Sequence, residues 1–112
     1  MRIVLSAGDS EPVIAREYVG DEAEGEFVAL SDGTVMYRHP TAGELVANLS
    51  RETFVACVGA WEQYVARVAP LKGETEQLRV VDQLRRDLDV QGSLRPGSFW
   101  ALILEQAEDG LL

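Results

Sequence analysis

The chain is poor in the residues that carry most redox, metal and nucleophilic chemistry. It has one cysteine, Cys57, and one histidine, His39. One cysteine excludes an intramolecular disulfide, and one cysteine with one histidine cannot build a structural zinc site. Long apolar runs are missing too. No stretch approaches the roughly 20 residues of a membrane-spanning helix. At the N-terminus only Ile3-Val4-Leu5 is apolar, short of the ~7–15 residues of a secretory leader. Neither G-x-G-x-x-G nor a Walker loop occurs, so the usual phosphate-cradling motifs are excluded. Asp21, Glu22 and Glu24 lack the twelve-position pattern of an EF-hand loop. Lysine is nearly absent: nine of the ten basic residues are arginine, with Lys72 the exception, which reads as a coding preference.

Positive charge as a whole is scarce. Ten basic residues face nineteen acidic ones, for a net charge of −9 over 112 residues. That balance argues against direct nucleic-acid binding, which needs Lys and Arg on the phosphates, and against an anionic membrane surface. It favours solubility and basic partners. A merely well-solvated acidic surface has the same composition. The length is that of one domain, read here as spanning residues 1–112, and the single unpaired cysteine suits the cytoplasm.

What is present is a clear order of elements. Ile3-Val4-Leu5 is a candidate short strand, Gly8 to Pro12 is turn chemistry, and Val13–Val19 is a strand rich in β-branched residues. Gly20 to Gly25 reads as an acidic loop. Phe27–Leu30 and Thr34–Tyr37 flank Ser31-Asp32-Gly33, a three-residue hairpin loop with glycine where a positive φ is needed. His39-Pro40 ends that strand, Thr41-Ala42-Gly43 turns, and Glu44–Asn48 returns as a further antiparallel strand. Ser50 is an N-cap for a helix whose apolar face is Phe54, Cys57, Val58, Trp61, Val65 and Val68. Pro70 stops it. Glu74–Asp89 predicts a second helix with Leu78, Val81, Leu84 and Leu88 inside. Ser98–Glu108 predicts a third, apolar nearly all round and so mostly buried, with Leu111-Leu112 tucking back beyond Gly110. Strands first and helices second predict an α+β fold: an antiparallel meander of about four strands from the N-terminal half, packed against three helices from the C-terminal half.

No set of residues reads as an active site. A Cys57–His39 dyad needs an orienting third group and an oxyanion site, and nothing marks either. Cys57 lies on an apolar helix face as a small hydrophobe, and His39 is a turn residue at the end of a strand. Trp61 and Trp100 sit among aliphatics at helical spacing, which reads as core rather than as a ligand box. Tyr37 and Tyr64 suit an interface rim. The expectation is a protein that is not an enzyme and needs no metal or cofactor. The candidate partner-binding residues are Asp21, Glu22, Glu24 and Glu26, with Asp32 at the hairpin tip; a solvated loop is the alternative. Residues 1–48 hold nine acidic and three basic residues, so the strand half is the more negative one.

Longer stretches carry a resemblance. The hairpin FVALSDGTV is followed by GELVA and NLSRETFVACVGAWEQY, and the chain closes on SFWALILEQAEDGLL. This wording resembles the SUKH superfamily, most closely its fourth subgroup of bacterial immunity proteins. The matching positions are Asn48, Ser50, Phe54, Val55, Trp61 and Tyr64, then Phe99, Trp100, Leu104, Glu105, Gly110 and Leu111. The resemblance covers about residues 25–112, and the chain looks shortened at the N-terminus. It implies a non-enzymatic cytoplasmic protein that binds and neutralises a cognate toxin, of the nuclease or nucleic-acid deaminase class, with a basic surface. It assigns no toxin-facing residue. Other branches of the same superfamily imply the alternative, a regulatory interaction or scaffold domain with a cellular partner.

Overall fold

A computed structural model describes residues 1–6 and 12–110. The turn expected at Gly8–Glu11 and the expected docking of Leu111-Leu112 lie outside the described residues. The chain forms an α+β fold with a five-stranded antiparallel sheet in its N-terminal half and three helices in its C-terminal half. Two compact units are present, Met1–Phe54 and Val55–Leu112.

The first unit holds β1 (Arg2–Leu5), β2 (Val13–Val19), β3 (Glu22–Ala29), β4 (Val35–His39) and β5 (Gly43–Asn48). They lie side by side in chain order, a pure meander. The count is five rather than about four, because Arg2–Leu5 pairs with β2 from Arg2↔Tyr18 to Leu5↔Ala15. The hairpin at Ser31-Asp32-Gly33 closes as expected, with the Leu30 N–H on the Thr34 carbonyl at 2.8 Å.

One expected loop is corrected. Gly20 to Gly25 is not a loop: only Gly20 and Asp21 turn, and β3 begins at Glu22. Gly20 has φ 62°, and no non-glycine residue among those described has a positive φ. Glycine at the first of two central positions is what a tight type II′ hairpin needs. Glu24 and Glu26 therefore belong to a strand. The ladder carries one extra residue at Glu24, since Glu17 pairs with Gly25 but Tyr18 with Ala23. Such a bulge re-aims the side chain it carries.

The buried face of the sheet is built around Phe27, which is fully buried and lies 5.2 Å from the Tyr37 ring and 4.8 Å from Phe54. Ile3, Ala15, Val35 and Tyr37 complete it. Burying each large side chain contributes about 1.5–3 kcal/mol. Glu17 is also buried here, and its carboxylate accepts the Tyr37 hydroxyl at 2.7 Å. The Tyr37 ring reaches it by crossing Gly25, where any Cβ would stand 2.5 Å from a ring carbon.

The second unit holds α1 (Arg51–Val68, whose first turn belongs to the sheet unit), α2 (Glu74–Val90) and α3 (Phe99–Glu108). Ser50 caps α1 as expected, accepting the Thr53 N–H at 3.2 Å. Ser98 caps α3 by accepting the Ala101 N–H and donating to the Ser93 carbonyl. Three expected core positions are corrected. In α1 the buried stripe runs Phe54, Cys57, Val58, Trp61 and Tyr64, while Val65 is exposed. Val65 lies at nearly the same angle around the helix as Val58, but in the last turn of α1, beyond the buried stripe. In α2, Val80 is buried and Leu78 exposed, because Val80, Val81, Leu84 and Leu88 centre a stripe from which Leu78 stands about 100° away. In α3, expected to be mostly buried because it is apolar nearly all round, Leu102 is exposed and lies about 130° from the centre of the buried set Phe99, Trp100, Ile103, Leu104 and Ala107. Arg85 of α2 ties to Glu108 of α3 at 2.7 Å.

Candidate functional site

Strand register places a charged row on the outer face of the sheet. Arg16 of β2 pairs with Glu26 of β3, Glu26 with Arg38 of β4, and Arg38 with Glu44 of β5. The signs alternate across four strands. Neighbouring positions on this face, two residues along each strand, form the apolar row Val28–Met36–Val46. Opposite charges facing one another across strands stabilise a sheet by about 0.2–1 kcal/mol per pair. Arg38 and Glu44 make a 3.2 Å ion pair. Among the described residues, Arg16 and Glu26 have no ion-pair partner, which leaves one cation and one anion available to something else.

At the end of the sheet where β3 begins and β4 ends, this row borders an open hollow of about 510 Å³. Arg16, Glu24, Glu26, Arg38, His39 and Glu44 line it. The bulge sets Glu24 against His39, with 3.5 Å between Oε2 and Nε2. The other ring nitrogen, Nδ1, accepts the N–H groups of Thr41 at 3.1 Å and Ala42 at 3.0 Å. A nitrogen that accepts carries no proton, so the neutral ring holds its proton on Nε2, toward Glu24. His39 is thus a turn residue, as expected, and the wall of the hollow as well.

No family model matches the chain, and no curated protein or solved structure matches it. The geometry of its own residues therefore carries the assignment of the site.

The five candidate residues do not form one cluster. Asp21 and Glu22 are exposed at the β2–β3 turn, and Glu24 and Glu26 follow along β3. These four share the end of the sheet that holds the hollow. Asp32 sits in the β3–β4 turn at the far end, roughly 25 Å away at about 3.3 Å per residue. It serves its own turn: Oδ1 accepts the Thr34 N–H at 2.9 Å, and that bond holds its carboxyl below the ordinary value. Arg16, Arg38 and Glu44 were not singled out from the sequence, which marks His39 only as a turn residue. The alternation that aligns three of them becomes visible only once the two hairpins are set in register.

The tyrosines are inside rather than on a rim. Tyr37 and Tyr64 are both buried, and burial raises both phenols; Tyr37 is raised further by its bond to Glu17 and by the charges of Glu17 and Glu24. Trp61 and Trp100 are buried as core. Cys57 is fully buried in the second unit, with Sγ 3.0 Å from the Ser93 hydroxyl, whereas His39 belongs to the first unit. Among the described residues no three His, Cys, Asp or Glu side chains group to hold a metal ion, and no helix is long and apolar enough to cross a membrane.

Proposed function

We propose that this chain is a non-enzymatic, immunity-type protein that binds a cognate bacterial toxin of the nuclease or nucleic-acid deaminase class and occludes its active site. One observation carries the reading. Asp21 and Glu22 at the β2–β3 turn share one end of the sheet with Glu24, Glu26 and Glu44, and the last three line an open hollow there. Enzymes that act on nucleic acids present basic channels, and a carboxylate band can enter such a channel by imitating phosphate charge. The net charge of −9 supports long-range steering toward a basic partner. The resemblance of FVALSDGTV, NLSRETFVACVGAWEQY and SFWALILEQAEDGLL to the fourth SUKH subgroup supports the immunity reading. In it the protein works in the cytoplasm of the producing cell, contacts no nucleic acid itself and needs no cofactor. Arg16 and Arg38, set among the carboxylates, select the register of the partner rather than adding to attraction.

The test is co-expression with the products of neighbouring genes. The expected result is a tight one-to-one complex with a toxin-like product, and loss of that product's toxicity. Failure to bind any neighbouring product would sink the proposal. Capture of a cellular partner with no toxic activity would favour a regulatory interaction domain instead.

A further inference from the structure

The turn between β4 and β5 is held by a side chain. Two backbone N–H groups, of Thr41 and Ala42, converge on His39 Nδ1, and the Thr41 hydroxyl lies 3.2 Å from the same atom. Only an unprotonated ring nitrogen accepts hydrogen bonds. Nε2 already holds a proton toward Glu24, so the next proton must go to Nδ1. There it would point at two amide hydrogens that the neutral ring had been accepting. Protonation and the closed turn are therefore mutually exclusive at one atom.

We infer that His39 is a proton-operated latch on the wall of the hollow. The neutral ring keeps Thr41 and Ala42 closed against β4. The charged ring releases them, pairs with Glu24 through Nε2, and so removes that carboxylate from a basic partner's reach. This concerns regulation of the site proposed above, and only the link to partner affinity rests on that proposal. The charged groups around the ring are Glu24 and Glu26 of β3, Arg38 of β4, Glu44 of β5 and Arg16 of β2, with the Tyr37 ring 6.4 Å away. The latch does not depend on them, because the conflict at Nδ1 is one of hydrogen-bond geometry.

His39 is the only histidine, so its titration is read without overlap. The experiment follows the Thr41 and Ala42 amides and the imidazole nitrogens of the full chain by NMR, between about pH 8 and pH 5. Both amides should shift with the midpoint of the ring and, below it, lose several-fold of their protection relative to the intrinsic exchange rate at each pH. In His39→Asn the Oδ1 atom takes the acceptor role in an Asx turn, so both amides should stay protected and flat across the range. Amides that ignore the ring's midpoint, or that titrate equally in His39→Asn, would overturn the latch. A second arm measures an oligoarginine peptide binding to the full chain over the same range. Its affinity should fall on acidification in the wild type and not in His39→Asn; equal falls in both would also overturn the latch. A peptide that binds at no pH would count against the acidic-band reading, leaving the amides to decide the latch.

Discussion

The ring of Tyr37 occupies the space in which a side chain at Gly25 would stand, with ring atoms 2.5–2.7 Å from the position of a Cβ. The glycine is what lets a residue on β4 reach across β3 to a carboxylate on β2. Gly25→Ala should therefore do more than add a methyl group. It must displace the ring, and displacing the ring breaks the bond from Tyr37 to Glu17. Overpacking costs about 1–3 kcal/mol, and a buried carboxylate stripped of its donor costs about 1–3 kcal/mol more. Urea unfolding should show a loss above that of Ala23→Gly on the same strand.

Tyr37→Phe tests the same bond from the other end. It keeps the ring over Gly25 and removes only the hydroxyl. The loss should be about 1–3 kcal/mol at neutral pH, from Glu17 left buried without that donor. The alkaline limb also follows. Burial and Glu17 raise the Tyr37 phenol above its ordinary value near 10, so the native state holds this proton after the unfolded chain has lost it. Stability from this group is whole below about pH 10 and is lost as pH rises toward the folded value. A stability profile from about pH 8 to pH 11 should fall in the wild type and fall less steeply in Tyr37→Phe.

Charge at the two ends of β3 should separate binding from folding. Reversing Asp21, Glu22, Glu24 and Glu26 to lysine should slow association with a basic partner by at least tenfold and flatten its salt dependence, with dissociation changed less. Asp32→Asn should leave association unchanged, because it lies at the other end of the strand. Its effect should be on the hairpin. Its carboxyl is held below the ordinary value by the Thr34 N–H, so its contribution is present above the unfolded value near 3.8 and disappears as pH falls through the folded one. Equal effects of both changes on association rate, read by stopped flow, would remove the acidic end as the docking surface.

Cys57 should behave as core. The native thiol should resist a thiol reagent that reacts freely after unfolding in urea, since Sγ is fully buried against the Ser93 hydroxyl. Cys57→Ala should cost about 1 kcal/mol of stability and leave partner neutralisation intact. Loss of neutralisation in a variant that remains folded would return the thiol to consideration as a functional group.

Much of the architecture was legible because local chemistry and long-range packing agree. Val13–Val19 is a strand at the bounds its β-branched residues mark, Ser50 and Ser98 start helices, and Ser31-Asp32-Gly33 closes a hairpin. The site was less legible for a physical reason. Gly20-Asp21 between two strands is a hairpin signal, but the carboxylates that follow it look like a solvated loop. Moving them into β3 converts a loop cluster into a cross-strand row. The extra residue at Glu24 has no local signature, because a bulge is decided by pairing with a second strand. The hold of His39 on Thr41 and Ala42 is likewise invisible until the turn is closed. Two corrections in the helices have one origin: an exposed Leu78 or Leu102 is as apolar as a buried neighbour, and only the angle around the helix tells them apart; Val65 shares the buried angle and differs by its place in the last turn.

The meander has a consequence for the order in which the molecule is made. Every strand pairs only with strands adjacent in sequence, and from β2 onward the connections are short. Each hairpin can close while later residues are still unavailable, so little loop-closure entropy has to be met before a pairing is rewarded. On a ribosome adding about 5–20 residues per second, hairpins that close in roughly 1–10 μs keep pace with every new residue. The sheet, with its acidic end already presented, is able to assemble before the three helices have been synthesised.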